Sequence, residues 1–211
     1  MRLRTLALVM AVVVAAGLLA QAQTQKPASP PGTAATQIGG KYVQREGGGQ
    51  RYQGGKWIEV TYSRPIKRGR QNLFGAGADY GKTLSDGSSV WRAGANQTTR
   101  LKTEVPLIFE GKTLPAGEYT VFVDLKENAW TLIFSNWPAQ EKYDPNNKAA
   151  LWGSYGYTPD KDVLRVAMKL DALLFSMDEF TIAFIDMTDD GGKLAMMWDK
   201  TMATAAFKVG S

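Results

Sequence analysis

Four cations crowd into seven residues: Arg64, Lys67, Arg68 and Arg70. Guanidinium forks hold carboxylates and phosphates through paired hydrogen bonds, so the cluster suits a small anionic ligand such as a phosphate or a uronic acid. The competing reading is a solvated loop whose cations pair with neighbouring Asp and Glu, contacts that carry little energy at a surface. Further on, Trp91-Arg92-Ala93-Gly94-Ala95-Asn96 sets an aromatic plane, a planar cation and an amide around a glycine. Trp91 would stack on a sugar or amide while Arg92 and Asn96 hydrogen-bond it. The same residues also describe a core Trp with Arg92 lying over it and Asn96 closing a turn. Tyr80 and Lys82 add a phenol and an ammonium between the two motifs. Trp137 and Trp152 flank a second irregular stretch and are the aromatics placed for exposure, with Trp152 the candidate ligand contact. Trp57, Trp130 and Trp198 have aliphatic neighbours and read as core.

The chain has no His and no Cys. That excludes an imidazole proton shuttle, Ser-His-Asp and Cys-His nucleophiles, disulfides, and ordinary zinc, haem or copper sites. Catalysis would rest on carboxylates, Lys, Tyr or an oxygen-ligated metal. Glu104, Glu118, Asp124 and Asp186 could each serve a glycosidase, but the separation that defines such a pair is spatial and spacing does not reveal it. Asp144-Pro145-Asn146-Asn147 lacks the acid density and terminal Glu of a calcium loop and reads as a turn. No metal or cofactor is expected.

Around these motifs the chain alternates apolar and polar residues. Trp57–Tyr62 carries Ile58, Val60 and Tyr62 on one face, the mark of a half-buried strand. Similar runs fall at 98–102, 105–109, 118–125, 129–136, 163–170, 180–187, 193–199 and 203–209. The close spacing of 118–125 with 129–136, and of 180–187 with 193–199, predicts antiparallel hairpins. Only Asp171–Glu179 looks helical. With no amphipathic helix between strands, parallel crossovers have no source. The spacing therefore predicts an all-β fold, a single antiparallel β-sandwich or flattened barrel. Two long interruptions, Ser63–Asn96 and Trp137–Tyr157, are where a site would lie.

At the N-terminus, Arg2 and Arg4 precede an apolar or small run from Leu6 to Ala20, and Ala20-Gln21-Ala22 has the small-x-small pattern of a signal-peptidase site. The run is too short to span a bilayer. Residues 1–22 are thus expected to be a signal peptide, residues 23–55 a flexible leader rich in Gln, Pro, Ser and Gly, and residues 56–211 the folded domain. The mature protein is expected in the periplasm or outside the cell, with no membrane span. The formal net charge is +5, yet Trp57–Ser211 holds 18 Lys and Arg against 19 Asp and Glu. A folded domain so nearly neutral gives no support for nucleic-acid binding.

Taken in order, Ser63-Arg64-Pro65, Lys67-Arg68-Gly69-Arg70, Leu73-Phe74-Gly75, Tyr80-Gly81-Lys82 and Val90-Trp91-Arg92-Ala93-Gly94-Ala95-Asn96 form a specific set. Leu114-Pro115-Ala116-Gly117-Glu118-Tyr119, Trp130-Thr131-Leu132-Ile133-Phe134, Trp152-Gly153-Ser154-Tyr155 and Lys161-Asp162-Val163-Leu164-Arg165-Val166 continue it. This set resembles the bacterial domain-of-unknown-function family numbered 2911, over about Trp57–Val209. The resemblance implies an exported β-rich protein and supplies no reaction. Thr83–Ser89 departs from the pattern as an insertion. Three readings remain open: a non-catalytic domain binding an anionic or carbohydrate ligand or a partner, a carboxylate hydrolase of polysaccharide helped by Arg92 and Tyr80, and a structural envelope protein. Convergence of Arg64, Lys82, Arg92 and Asn96 on one pocket with a carboxylate would favour a site.

Overall fold

The computed structural model describes residues 27–210, so the signal-peptide segment lies outside the described residues. Twelve strands follow in order: β1 (Pro31–Ile38), β2 (Lys41–Gln44), β3 (Gln50–Gln53), β4 (Lys56–Ser63), β5 (Thr99–Thr103), β6 (Leu107–Phe109), β7 (Lys112–Leu114), β8 (Gly117–Asp124), β9 (Thr131–Ser135), β10 (Asp162–Ala167), β11 (Lys169–Thr188) and β12 (Gly191–Val209). One turn of helix, α1 (Lys82–Ser85), interrupts them. A six-stranded sheet runs β1-β4-β5-β8-β9-β10, and a four-stranded sheet runs β11-β12-β6-β7. All pairings within both are antiparallel. The fold is an antiparallel β-sandwich.

Alternation on β4 sends Ile58, Val60 and Tyr62 into the space between the sheets, where they meet Phe180, Ile182, Met196 and Phe207 from the other layer. The Tyr62 hydroxyl accepts from the Ile182 N–H at 3.0 Å and faces its carbonyl at 3.4 Å, tying the two layers together. β8 and β9 break the alternation because both of their faces are covered. Val121, Val123, Leu132 and Phe134 join the inter-sheet core, whereas Phe122 and Ile133 pack outward beneath Leu151 and Tyr157. A strand buried on both faces must read as a continuous apolar run.

Three expectations need correction. Residues 31–55, assigned by composition to a flexible leader, carry β1, β2 and β3, and β1 pairs β4 without a break from Pro31↔Ser63 to Ile38↔Lys56. Ladder bonds are made by the backbone, so a Gly-, Ala- and Thr-rich edge strand needs only Ala34 and Ile38 turned inward to be held. Asp171–Glu179 is not helical; it lies in β11. Ala172 pairs Thr201 and Met177 pairs Asp199, so residues 173–176 bulge out opposite a single partner residue and the period of two is lost there. Finally, Trp57 is 48% exposed on the outer face of β4, while Trp130 and Trp198 are buried as expected.

Candidate functional site

The segment between β4 and β5 is ordered by what it packs against. The Lys67 N–H donates to the Asp178 carbonyl at 2.6 Å and the Phe180 N–H to the Pro65 carbonyl at 2.9 Å, stitching its start to β11. Phe74 inserts its ring against Tyr80, Trp130 and Trp198. Further along, Trp91 exchanges two 2.8 Å backbone bonds with Val123. The 137–157 segment is ordered from within by Gln140, whose buried amide reaches the carbonyls of Asn147 and Ala150 at 3.0 and 2.9 Å and accepts from the Asp144 N–H at 2.8 Å. Thr98 pins its middle, with its hydroxyl 2.8 Å from the Gly153 carbonyl and 3.0 Å from that of Leu151. Tyr157 closes its end by donating to Asp162 at 2.7 Å. Burial first, and then that carboxylate, push the Tyr157 phenol well above its ordinary 10.0.

The two segments meet over Arg92. Arg92 is 8% exposed, with Nη2 3.4 Å from Asp86 Oδ2 and Nη1 3.4 Å from the Asn96 carbonyl. The Tyr155 ring centroid lies 5.2 Å from Cζ, and the Tyr155 hydroxyl donates to the same Asp86 oxygen. Gly153 makes this approach possible. Its φ is +62°, and a β-carbon there would sit 2.7 Å from Arg92 Nη1. Arg92, Asp86 and Asn96, with Arg70, Pro65 and Trp198, line a cleft of about 240 Å³. A second concavity of about 270 Å³ adjoins it across Tyr155 and presents Tyr143, Trp152, Asp144 and Lys148. Tyr143 and Trp152 stand 5.9 Å apart, centre to centre.

Of the residues singled out from sequence, Arg70, Trp91, Arg92 and Asn96 come together at the first cleft, and Trp152 lines the second. Trp91 forms the floor and not a wall. It is 1% exposed, stacks on Trp198 at 6.1 Å and 11°, and donates its indole N–H to the Gly94 carbonyl at 3.0 Å, so its ring is core. Arg70 lies over the Trp198 ring at 5.5 Å and donates to the carbonyls of Ile66 and Lys67. The others stand elsewhere. Arg64 pairs with Glu179 at 2.5 Å, Lys82 pairs with Asp79 at 2.9 Å, and Arg68 donates to the Ala28 carbonyl at 3.1 Å. Tyr80 accepts from the Trp130 indole N–H at 2.9 Å; burial raises its pKa above 10.0 despite that bond. Lys67 is held by Asp199 at 2.5 Å.

Asp86 lines the cleft and Tyr155 the concavity beside it, and neither had been singled out as a site residue. Asp86 belongs to Thr83–Ser89, the stretch that departs from the family pattern. There α1 ends on it in a left-handed conformation, φ 51°, that turns its carboxylate toward Arg92. The signal for Tyr155 was the glycine two residues before it.

The two main sheets thus form an antiparallel sandwich, and the loops build a cleft beside Arg92 with Trp91 as its floor. The chain belongs to the family described as "Protein of unknown function (DUF2911)", whose model matches residues 49–207. No curated protein and no solved structure matches it. Among the described residues no three Asp or Glu gather as a metal cage, and no helix is long and apolar enough to cross a membrane.

Proposed function

We propose that this protein is an exported, non-catalytic binding domain whose ligand is a small acidic carbohydrate, held at Arg92 and spread over the aromatic concavity beside it. The observation that supports this is the state of Arg92. A guanidinium offers five N–H donors, and this nearly buried one meets its two acceptors only at 3.4 Å. A carboxylate entering the cleft would find donors already desolvated and fixed in place, the arrangement that gives charge-assisted bonds their strength. Tyr143, Trp152 and Tyr155 supply the flat surfaces on which sugar rings stack.

The hydrolase reading needs two carboxylates facing one bond, roughly 5 to 9.5 Å apart. Asp86 is the one carboxylate lining the Arg92 cleft, and Asp144, in the concavity beside it, accepts from the Asn146 N–H. The sequence candidates are engaged elsewhere: Glu104 accepts from the Trp57 N–H, Glu118 pairs with Lys102, Asp124 with Arg165 and Asp186 with Lys193. Titration calorimetry with oligogalacturonides and their neutral counterparts tests the proposal. The acidic oligosaccharides should bind saturably and the neutral ones at least tenfold more weakly. Arg92→Lys, which keeps the charge but not the fork, should remove most of the difference. Equal binding of both sets, or none of either, overturns it. Export itself is checked by the intact mass of the mature chain, expected to begin at Gln23.

A further inference from the structure

Between β1 and β4 the chain leaves the sandwich as a two-stranded ribbon. β2 and β3 pair only with each other, from Lys41↔Gln53 to Gln44↔Gln50, and no residue from Gly39 to Trp57 is buried. A free two-stranded hairpin is marginal in water, but this one has a built base. The Tyr52 hydroxyl accepts from the Gly40 N–H at 2.7 Å, and a β-carbon on either Gly40 or Gly55 would come within 2.5 Å of the Tyr52 ring. The two glycines therefore let Tyr52 seat itself in the joint. Tyr42 packs edge-on against Tyr52 at 5.3 Å and is still 70% exposed, and Trp57 at the base is 48% exposed. Lys41, Arg45, Arg51 and Lys56 lie along this arm against Glu46 alone, and none of the four forms an ion pair with any described residue. The chain beyond it is nearly neutral, so the positive charge is concentrated here.

We infer that the β2–β3 arm docks the protein onto an anionic phospholipid surface. Lys and Arg near such a surface are drawn to its headgroups, and Tyr and Trp, apolar rings with one polar atom, settle at the level where headgroup meets acyl chain. The arm carries both kinds of side chain: by the alternation of its register Lys41 and Arg51 share one face, and Tyr42, packed on Tyr52, stands on the other. A soluble polyanion would account for the cations but not for Tyr42 and Trp57. The site is separate from the cleft: the eight-pair β1–β4 ladder lies between them, about 25 Å at roughly 3.3 Å per residue.

Vesicle flotation of the exported protein tests this. Vesicles containing phosphatidylglycerol should carry the protein up and pure phosphatidylcholine vesicles should not, with binding that weakens as salt rises. Replacing Lys41, Arg45, Arg51 and Lys56 by Gln should weaken partitioning by at least a hundredfold, at about fivefold per cation. Tyr42→Ser with Trp57→Ser should weaken it about tenfold while leaving binding to dextran sulfate unchanged. Because the substituted chains must fold to be informative, brominated phosphatidylglycerol supplies a second reading on the unaltered arm: it should quench the emission that Trp57→Phe removes. Vesicle binding untouched by the four Gln changes overturns the inference. So does vesicle binding that ignores both aromatic changes, which would mark a polyanion site, and so does unquenched Trp57.

Discussion

Arg92 is held by packing as much as by charge. Its guanidinium lies over the Tyr155 ring and against Gly153, the residue as a whole is buried, and it lines the cleft. Arg92→Ala is therefore expected to cost about 1–2 kcal/mol through the packing it loses against Tyr155 and Gly153. Asn96 behaves differently, because its carbonyl and not its side chain meets Arg92, and its φ is +56°. Asn96→Gly should be close to neutral and Asn96→Ala should cost about 1 kcal/mol. Urea unfolding of the three variants checks both statements; a neutral Arg92→Ala would mean the stacking contributes nothing. The Trp91–Asn96 motif was legible as a site or a core feature, and the structure divides it: Trp91 is core, while Arg92 is core on one side and site on the other. Sequence could not make that division, because one face of Arg92 is set by Tyr155, which comes from the other loop, and its approach depends on the two loops folding together.

Two elements are joined by a polar clamp. Lys67 reaches Asp199 at 2.5 Å and Ser176 at 3.2 Å, and the Ser176 hydroxyl donates to the same Asp199 oxygen at 2.7 Å, so the cationic loop is bound to the bulge of β11 and to β12. The Lys67 hydrogen bond holds the Asp199 carboxyl below its ordinary 3.8. A carboxylate depressed in the folded state contributes stability that is fully present above its unfolded value and is lost as pH falls through the folded one. Asp199→Asn keeps a side chain that tolerates the left-handed backbone there, φ 51°. The stability gap between wild type and this variant should be constant from pH 7 to about 5 and should close below 3.8; a gap unchanged at pH 2.5 would refute the clamp. The edge strand makes a second prediction. Trypsin should cut first at Arg45 and Arg51 in the exposed arm. The fragment bearing β1 should nevertheless stay with the domain on native size exclusion, held by its eight-residue ladder, and separate only on denaturation. Its release under native conditions would return the domain boundary to residue 56. Alternation revealed β4, β5 and β10, and continuous apolar runs bounded by turn residues revealed β8 and β9, all strands whose inward side chains are large. Alternation missed β1, whose inward side chains are small, and misread β11 where four bulged residues disrupt the pattern.

For the molecule as a whole, fold class followed from absence as much as from pattern: without a helix long enough to cross between parallel strands, an antiparallel sandwich was the remaining way to cover so many short apolar runs. The two-layer arrangement was less accessible, because which strands share a sheet depends on pairings between residues far apart, and Tyr62 finds Ile182 across 120 positions. That division has a temporal meaning. All six strands of the larger sheet are complete by Ala167, while the layer that covers them comes mostly from Lys169–Val209. A chain emerging N-terminus first, from a ribosome or through a translocation pore, therefore displays Ile58, Val60, Leu101 and Phe134 to its surroundings until its last forty or so residues arrive. Late closure leaves the inner face of the larger sheet uncovered until the final hairpin arrives. It also makes the final hairpin the step on which solubility depends.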